Sequence, residues 1–170
     1  MSLFVIYTLD HTLESSGIWL DSSPKRMSSL SCFPRASGYL TVPSKVKAIN
    51  PAVKKLMRML KPACLAPSQA FAIETALREA LANANVYGNR ADPTKKVRDC
   101  CGCDNHGIRI VIADEGDGFD PETLANPLVG KNLDADHGRG IFLINTLMDE
   151  VRFENGGRTI RMRKKRPPSP

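Results

Sequence analysis

The sequence predicts an α+β fold, a two-layer α/β sandwich in which a mixed, mostly antiparallel sheet carries helices on one face. Three observations predict it. Residues 47–65 and 66–89 repeat apolar side chains at helical spacing. Residues 95–101 and 107–114 alternate in two-residue steps about a turn. The chain closes on VRFEN-GG-RTIRMRK, a hairpin pattern.

Taken in order, residues 1–37 are serine-rich, with serine pairs at 15–16, 22–23 and 28–29, and hold no sustained period, so they are expected to form a poorly ordered extension with one short strand near the start. Met27 is a second candidate initiator. The folded domain is assigned to residues 38–165 and a tail to 166–170. It opens with the strand YLTVPS. The helix KAINPAVKKLMRMLKPACL follows, with Val53, Leu56, Met57 and Leu60 on one side, Pro51 suiting its first turn and Pro62 marking its end. APSQAFAIETALREALANANVYGN is the strongest helix. Ser68 is its candidate cap, Ile73, Leu77, Ala80, Leu81 and Ala84 form its apolar stripe, and Gly88 stops it. KKVRDCC and GIRIVIAD then pair about the turn DNHG, with Ile108, Ile110 and Ile112 alternating with Arg109, Val111 and Ala113. A polar loop spans about 120–137, and GIFLINTLMD is helical. In the last hairpin Val151 and Phe153 face Ile160 and Met162. There is no internal repeat, and only the PPSP tail is low in complexity.

Composition narrows the function. The 170 residues suffice for one domain with a core, and 42% apolar and 25% charged residues are ordinary for a globular chain. Aromatics at 6% argue against a stacking platform for single-stranded nucleic acid. The net charge of +6 is concentrated in RMRKKR, Arg161 to Arg166. With no base-reading motif beside it, this run reads as a basic strand edge and tail that resist edge pairing, and against direct nucleic-acid binding. No apolar run approaches the ~20 residues of a membrane span. SLFVIYTL lacks a preceding basic region and runs into Asp10 and His11, which makes a poor signal peptide. Five cysteines without scaffold spacing indicate a reducing, cytoplasmic setting.

Three segments hold candidate chemistry. Glu79 and Asn83 are four apart on one helix and project side by side, away from the apolar stripe. A bare Glu/Asn pair is more often a solvated face, but here Asn83 offers magnesium a hard oxygen and Glu79 offers a proton acceptor. In DEGDG, Asp114 ends a strand beside Gly116 and Gly118, placing an acceptor carboxylate near backbone that a ligand can approach; the competing reading is an ordinary Asp-Gly turn. In HGRG, Gly138, Arg139 and Gly140 open a helix whose free amides suit phosphate, with His137 and Lys131 adding charge; the competing reading is a plain loop-to-helix junction. Neither a Walker loop nor a Rossmann turn is present. Cys100, Cys101 and Cys103 precede His106, and Cys100 and Cys103 have C-x-x-C spacing. Only the distant Cys32 and Cys64 remain to complete four ligands, so plain hairpin cysteines are favoured over a zinc site or a redox pair.

In this order and spacing the three segments resemble the ATP-binding fold of gyrase-type ATPases, Hsp90, histidine kinases and MutL, the GHKL superfamily (the histidine kinase-like or Bergerat type). The spacing is most similar to that of the anti-sigma factor serine kinases. The resemblance covers about residues 38–165 and rests on Glu79, Asn83, Ala84, Tyr87 and Gly88, on Asp114, Gly116 and Gly118 with the following FDP, on Gly138, Arg139 and Gly140, and on the closing hairpin with Thr159. It implies ATP as cofactor, with magnesium held by Asn83, adenine read by Asp114 with help from Thr159, phosphates under Gly138–Gly140, and Glu79 as catalytic residue. It implies a serine/threonine-protein kinase that phosphorylates an anti-anti-sigma factor (a STAS-domain partner) and sequesters a sigma factor, as a homodimer. The alternative is a nucleotide-gated binding module without kinase activity; a DNA-binding regulator using the basic tail ranks below both. Tyr87 stands where histidine is common in the family, Asp117 adds charge within the glycine turn, and the loop at 120–137 is short. No phosphoacceptor-histidine helix or membrane sensor precedes the domain in this sequence, which argues against a complete sensor histidine kinase.

Overall fold

The computed structural model describes residues 36–60, 65–119 and 136–167. The expectations for an N-terminal extension, for the helix stop at Pro62 and for the polar loop with Lys131 fall wholly or mostly outside them. Strand β1 (Ala36–Pro43) begins ahead of the expected Tyr39. Helix α1 (Val46–Leu60) follows, then α2 (Ala70–Ala82), the antiparallel pair β2 (Lys96–Asp104) and β3 (Gly107–Ala113), α3 (Asp136–Leu147), and the hairpin β4 (Glu150–Glu154) and β5 (Thr159–Lys165). The sheet order is β1-β2-β3-β5-β4, and every described pairing is antiparallel rather than mixed.

Register explains the layering. Side chains paired across strands share a face, so Leu40, Asp99, Ile112, Ile160 and Phe153 form one row, and Cys101, Ile110, Met162 and Val151 the next. These rows meet Val53, Leu56 and Leu60 of α1, Ile73, Leu77 and Leu81 of α2 and Ile144 of α3 in one core. The expected facing of Val151 and Phe153 with Met162 and Ile160 is the observed register. The opposite face carries Arg98, Arg109, Arg161 and Arg163, ion-paired with Glu115, Asp104, Glu154 and Glu150. Pairs this exposed add little stability, but they neutralise part of the basic excess.

Two helix signals act differently from their expected roles. Pro51 lies beyond the first turn of α1, on its exposed side, and leaves the Lys47 carbonyl without an intrahelical donor. Ser68 does not cap α2. Pro67 starts a short 3-10 turn (Pro67–Gln69) that carries Ser68 inside it, and α2 begins after Gln69 without a side-chain cap.

β2 divides its cysteines between the two faces of the sheet. Residues three apart on a strand point to opposite faces, so Cys100 and Cys103 cannot pair. Cys100 and Cys101 form no disulfide, whereas Cys103 is disulfide-bonded, which departs from the reduced cysteines expected. The described residues hold no cluster of three metal-binding side chains. None of their helices is long and apolar enough to cross a membrane.

Asp99 breaks the pattern of the core. It faces the helices, is fully buried, and neither carboxylate oxygen has a hydrogen-bond partner among the described residues. Burial pushes its carboxyl well above the usual range, and burial together with the Asp99 charge pushes the Cys101 thiol up to about 12. A carboxyl raised in the folded state contributes stability below its unfolded value, and that contribution is lost as pH rises towards the folded one. Unfolding free energy in urea is therefore expected to fall as pH increases from about 4 to 8. Asp99→Asn should flatten this slope and be the more stable protein at the upper end of this range. Equal slopes in the two proteins would show that burial does not raise the Asp99 carboxyl.

Candidate functional site

The polar flank of α2 brings the first and third motifs together. Glu79 and Asn83 lie one turn apart, both partly exposed. α3 starts at Asp136 rather than Gly138, so Gly138 and Arg139 fall in its first turn, where amides lack partners within the helix. Gly140 settles against the pair: an added Cβ there would lie 2.9 Å from Glu79 Oε2 and 3.4 Å from Asn83 Oδ1. Glycine is what lets the two helices approach at this point.

At Asn83 the α-helix widens into a π-helical turn, Asn83–Gly88. Such turns gather at functional sites because the extra residue re-aims the backbone. Here it presses the helix end against the DEGDG turn. A Cβ on Gly88 would lie 2.5 Å from the Asp114 carboxyl carbon, and one on Gly116 only 1.9 Å from the Gly88 carbonyl oxygen. Gly88 thus ends the helix for reasons of space. The left-handed residues follow it, at Arg90 (φ 55°) and Ala91 (φ 54°).

Asp114 extends β3 onto the last hairpin, its amide donating to the Arg158 carbonyl at 3.0 Å. Its Oδ1 accepts from the Gly116 amide at 2.8 Å. Half-burial pushes its carboxyl above the usual range, while the Gly116 hydrogen bond and the nearby Arg158 charge pull it back. Asp117 is exposed and pairs with Arg90 at 3.0 Å, so the extra charge in this turn is balanced outside the cleft.

These elements enclose a cleft of about 220 Å³. It is lined by Asn83 and Ala84 of the π-helical turn, by Ile112 and Ile160 of the sheet, and by Phe119 and Phe153, whose rings meet edge-to-face with centroids 5.3 Å apart. Tyr87 is at the lining but 45% exposed. A mainly apolar slot with a few fixed polar groups suits a flat heterocycle. Its volume falls below the ~300 Å³ where whole small-molecule sites begin, so it fits the base end of a nucleotide and leaves the phosphates towards Gly140.

The structure thus brings Asn83, Asp114 and Gly118 into one lining, packs Gly116 against Gly88, and sets Glu79 and Asn83 against Gly140; Arg139 is exposed in the first turn of α3. Thr159 does not join them. It pairs with Ala113, one step out of phase with the Ile112–Ile160 row, so its side chain projects to the opposite face, where its Oγ1 accepts from Asn155 Nδ2 at 3.1 Å. Arg158, one residue earlier, lines the cleft in its place and is not among the residues the motifs single out; the alternation Arg158, Ile160, Met162 is the signal that could have found it. For a metal, the lining offers the Asn83 amide oxygen beside α3; Asp114 is engaged by the Gly116 amide and packed against Gly88, and Tyr87 is largely exposed. Magnesium keeps several waters and leans on phosphate oxygens, so a single protein amide fits it.

An antiparallel sheet under three helices, with a base-sized slot ending at a glycine-rich helix start, defines an ATPase of the histidine kinase-like type. The chain belongs to the histidine kinase-like ATPase domain family, whose profile matches residues 42–164; membership implies ATP binding. It is similar to the serine-protein kinase RsbW of Bacillus licheniformis, 32% identical over 105 residues that cover 54% of this chain and 62% of that protein. The RsbW of Bacillus subtilis (strain 168) is 32% identical over 99 residues with the same coverage. That of Staphylococcus aureus (strain MW2) is 44% identical over 64 residues, 34% of this chain and 40% of that protein. The chain thus spans 62% of the length of the Bacillus relatives.

Proposed function

We propose that the protein is a magnesium- and ATP-dependent anti-sigma serine/threonine kinase acting in the cytoplasm as a homodimer. It phosphorylates a serine on a STAS-type anti-anti-sigma partner and sequesters a sigma factor. One observation carries the reading: Glu79 Oε2 and Asn83 Oδ1 both pack against Gly140 at the start of α3, whereas Asp114 packs against Gly88 at the far end of the π-helical turn. A proton acceptor is thus set beside the metal-binding amide and the phosphate-binding helix start, while the base is read at the other end. The similarity to proteins named serine-protein kinase supports the same class.

The roles follow. Asp114 accepts from the exocyclic amine of adenine, and the first-turn amides of α3 with Arg139 receive the phosphates. Asn83 Oδ1 would hold magnesium, which supplies charge neutralisation on the phosphate oxygens. Glu79 takes the proton of the serine hydroxyl as its oxygen bonds to the γ-phosphorus and the bond from that phosphorus to the β-γ bridging oxygen breaks, releasing ADP. Alignment and charge supply most of the acceleration, so a small site suffices.

The test is incubation with γ-labelled ATP, magnesium and a STAS-domain partner, read as phosphoserine. ATP binding without phosphoserine would instead make the protein a nucleotide-gated binding module. Asn83→Ala is expected to weaken ATP binding about tenfold in magnesium and to leave binding in EDTA nearly unchanged. Equal weakening in both buffers would remove Asn83 from the metal site.

A further inference from the structure

We propose that Arg158 is a specificity-determining residue of the cleft, supplying beside Asp114 the hydrogen-bond donor that an adenine edge requires and a guanine or hypoxanthine edge rejects. The inference rests on the nucleotide reading above.

Position comes first. The bond from the Asp114 amide to the Arg158 carbonyl makes the two residues cross-strand neighbours. Asp114 is two residues past Ile112 and Arg158 two before Ile160, so both side chains project to the cleft side of the sheet, and both line it. The arginine is held there. Its Nε donates to the Asn155 carbonyl at 2.9 Å, across a tight turn that Asn155 opens in the left-handed region (φ 54°). Its stem packs over Gly118, where an added Cβ would come within 3.0 Å of Arg158 Cγ. Anchored at Nε, the guanidinium still has both terminal nitrogens to offer.

Those nitrogens form no ion pair with Asp114 among the described residues, yet the guanidinium is near enough to draw the Asp114 carboxyl downwards. An acceptor and a donor thus stand side by side on one wall of an apolar slot, without being consumed by each other. Adenine presents the complementary order on its Watson–Crick edge, the N6 amine as donor and N1 as acceptor. Guanine and hypoxanthine present O6 as acceptor and N1–H as donor, which opposes acceptor to acceptor and donor to donor. Asp114 alone reads one atom; with Arg158 the pair reads two, and each mismatch sets acceptor against acceptor or donor against donor.

The experiment measures the affinities of ATP and 1-deaza-ATP, which lacks only the N1 acceptor, for the unaltered chain and for Arg158→Met, which keeps a stem over Gly118. The unaltered chain is expected to bind ATP about tenfold or more tightly than 1-deaza-ATP, and Arg158→Met to reduce that ratio to about twofold or less. The first comparison needs no variant. A ratio near one in the unaltered chain, or the same ratio in both proteins, overturns the assignment of Arg158 alone. A parallel loss for both nucleotides in Arg158→Met also overturns it, since the arginine would then serve the phosphates. Failure of the unaltered chain to bind ATP overturns the nucleotide reading and the inference with it.

Discussion

Glu79→Ala is expected to slow phosphoryl transfer to a STAS-domain partner about 10²–10⁴-fold while changing ATP affinity by about threefold or less. The split follows from position. Glu79 stands on the flank of α2 against Gly140 and is outside the lining that receives the base. Its loss removes a proton acceptor from the transition state and leaves the groups that bind the ground state in place, which lowers kcat more than it raises KM. Glu79 is partly exposed and makes no ion pair among the described residues, so the variant should fold. Glu79→Gln keeps the shape and hydrogen-bonding span of the side chain but not its basicity, and should be as slow as the alanine variant. Single-turnover transfer with labelled ATP, beside direct nucleotide binding, measures both quantities. Unchanged transfer in both variants rejects Glu79 as the base, and parallel losses of transfer and affinity make it a binding residue.

Much of this site was legible because each motif has a local physical signature. Two polar residues four apart on a strongly periodic helix define a flank, and Gly138 and Gly140 mark a helix start. What stayed hidden depended on phase or on tertiary contact. Thr159 and Arg158 are adjacent, but a one-residue step on a strand exchanges the two faces of the sheet, so reading the hairpin one residue late selects the wrong side chain. Phase also exposes Asp99: Val97, Asp99, Cys101 and Cys103 alternate on one face of β2, which places a carboxyl in the core row. The π-helical turn at Asn83–Gly88 has no periodic signature, since apolar spacing continues across it. The space requirement at Gly88 comes from Asp114, which lies far along the chain. Sequence gives the glycine; only the packing gives its reason.

Asp114→Asn should weaken ATP binding by about 3 kcal/mol, on the order of 100-fold, with little change in stability. The substitution is chosen for what it keeps. An asparagine Oδ1 can still accept from the Gly116 amide, so the turn retains the 2.8 Å hydrogen bond that shapes it. The second position then becomes an NH₂ facing the exocyclic amine of adenine, donor against donor in an apolar slot, where an unmatched polar contact costs most. The same logic fixes a pH dependence. Burial raises the Asp114 carboxyl above its ordinary range. Protonation turns one acceptor oxygen into a donor, so affinity should fall as pH drops through that raised value and be fully present above it. Adenosine is the better probe for this, because it carries no phosphate that titrates nearby. Isothermal calorimetry with adenosine, at pH values above the protonation of adenine N1, should show affinity rising with pH in the unaltered protein and staying flat in Asp114→Asn. A slope that persists in the variant would assign the titration to another group, and an undiminished affinity would mean that the base does not meet Asp114.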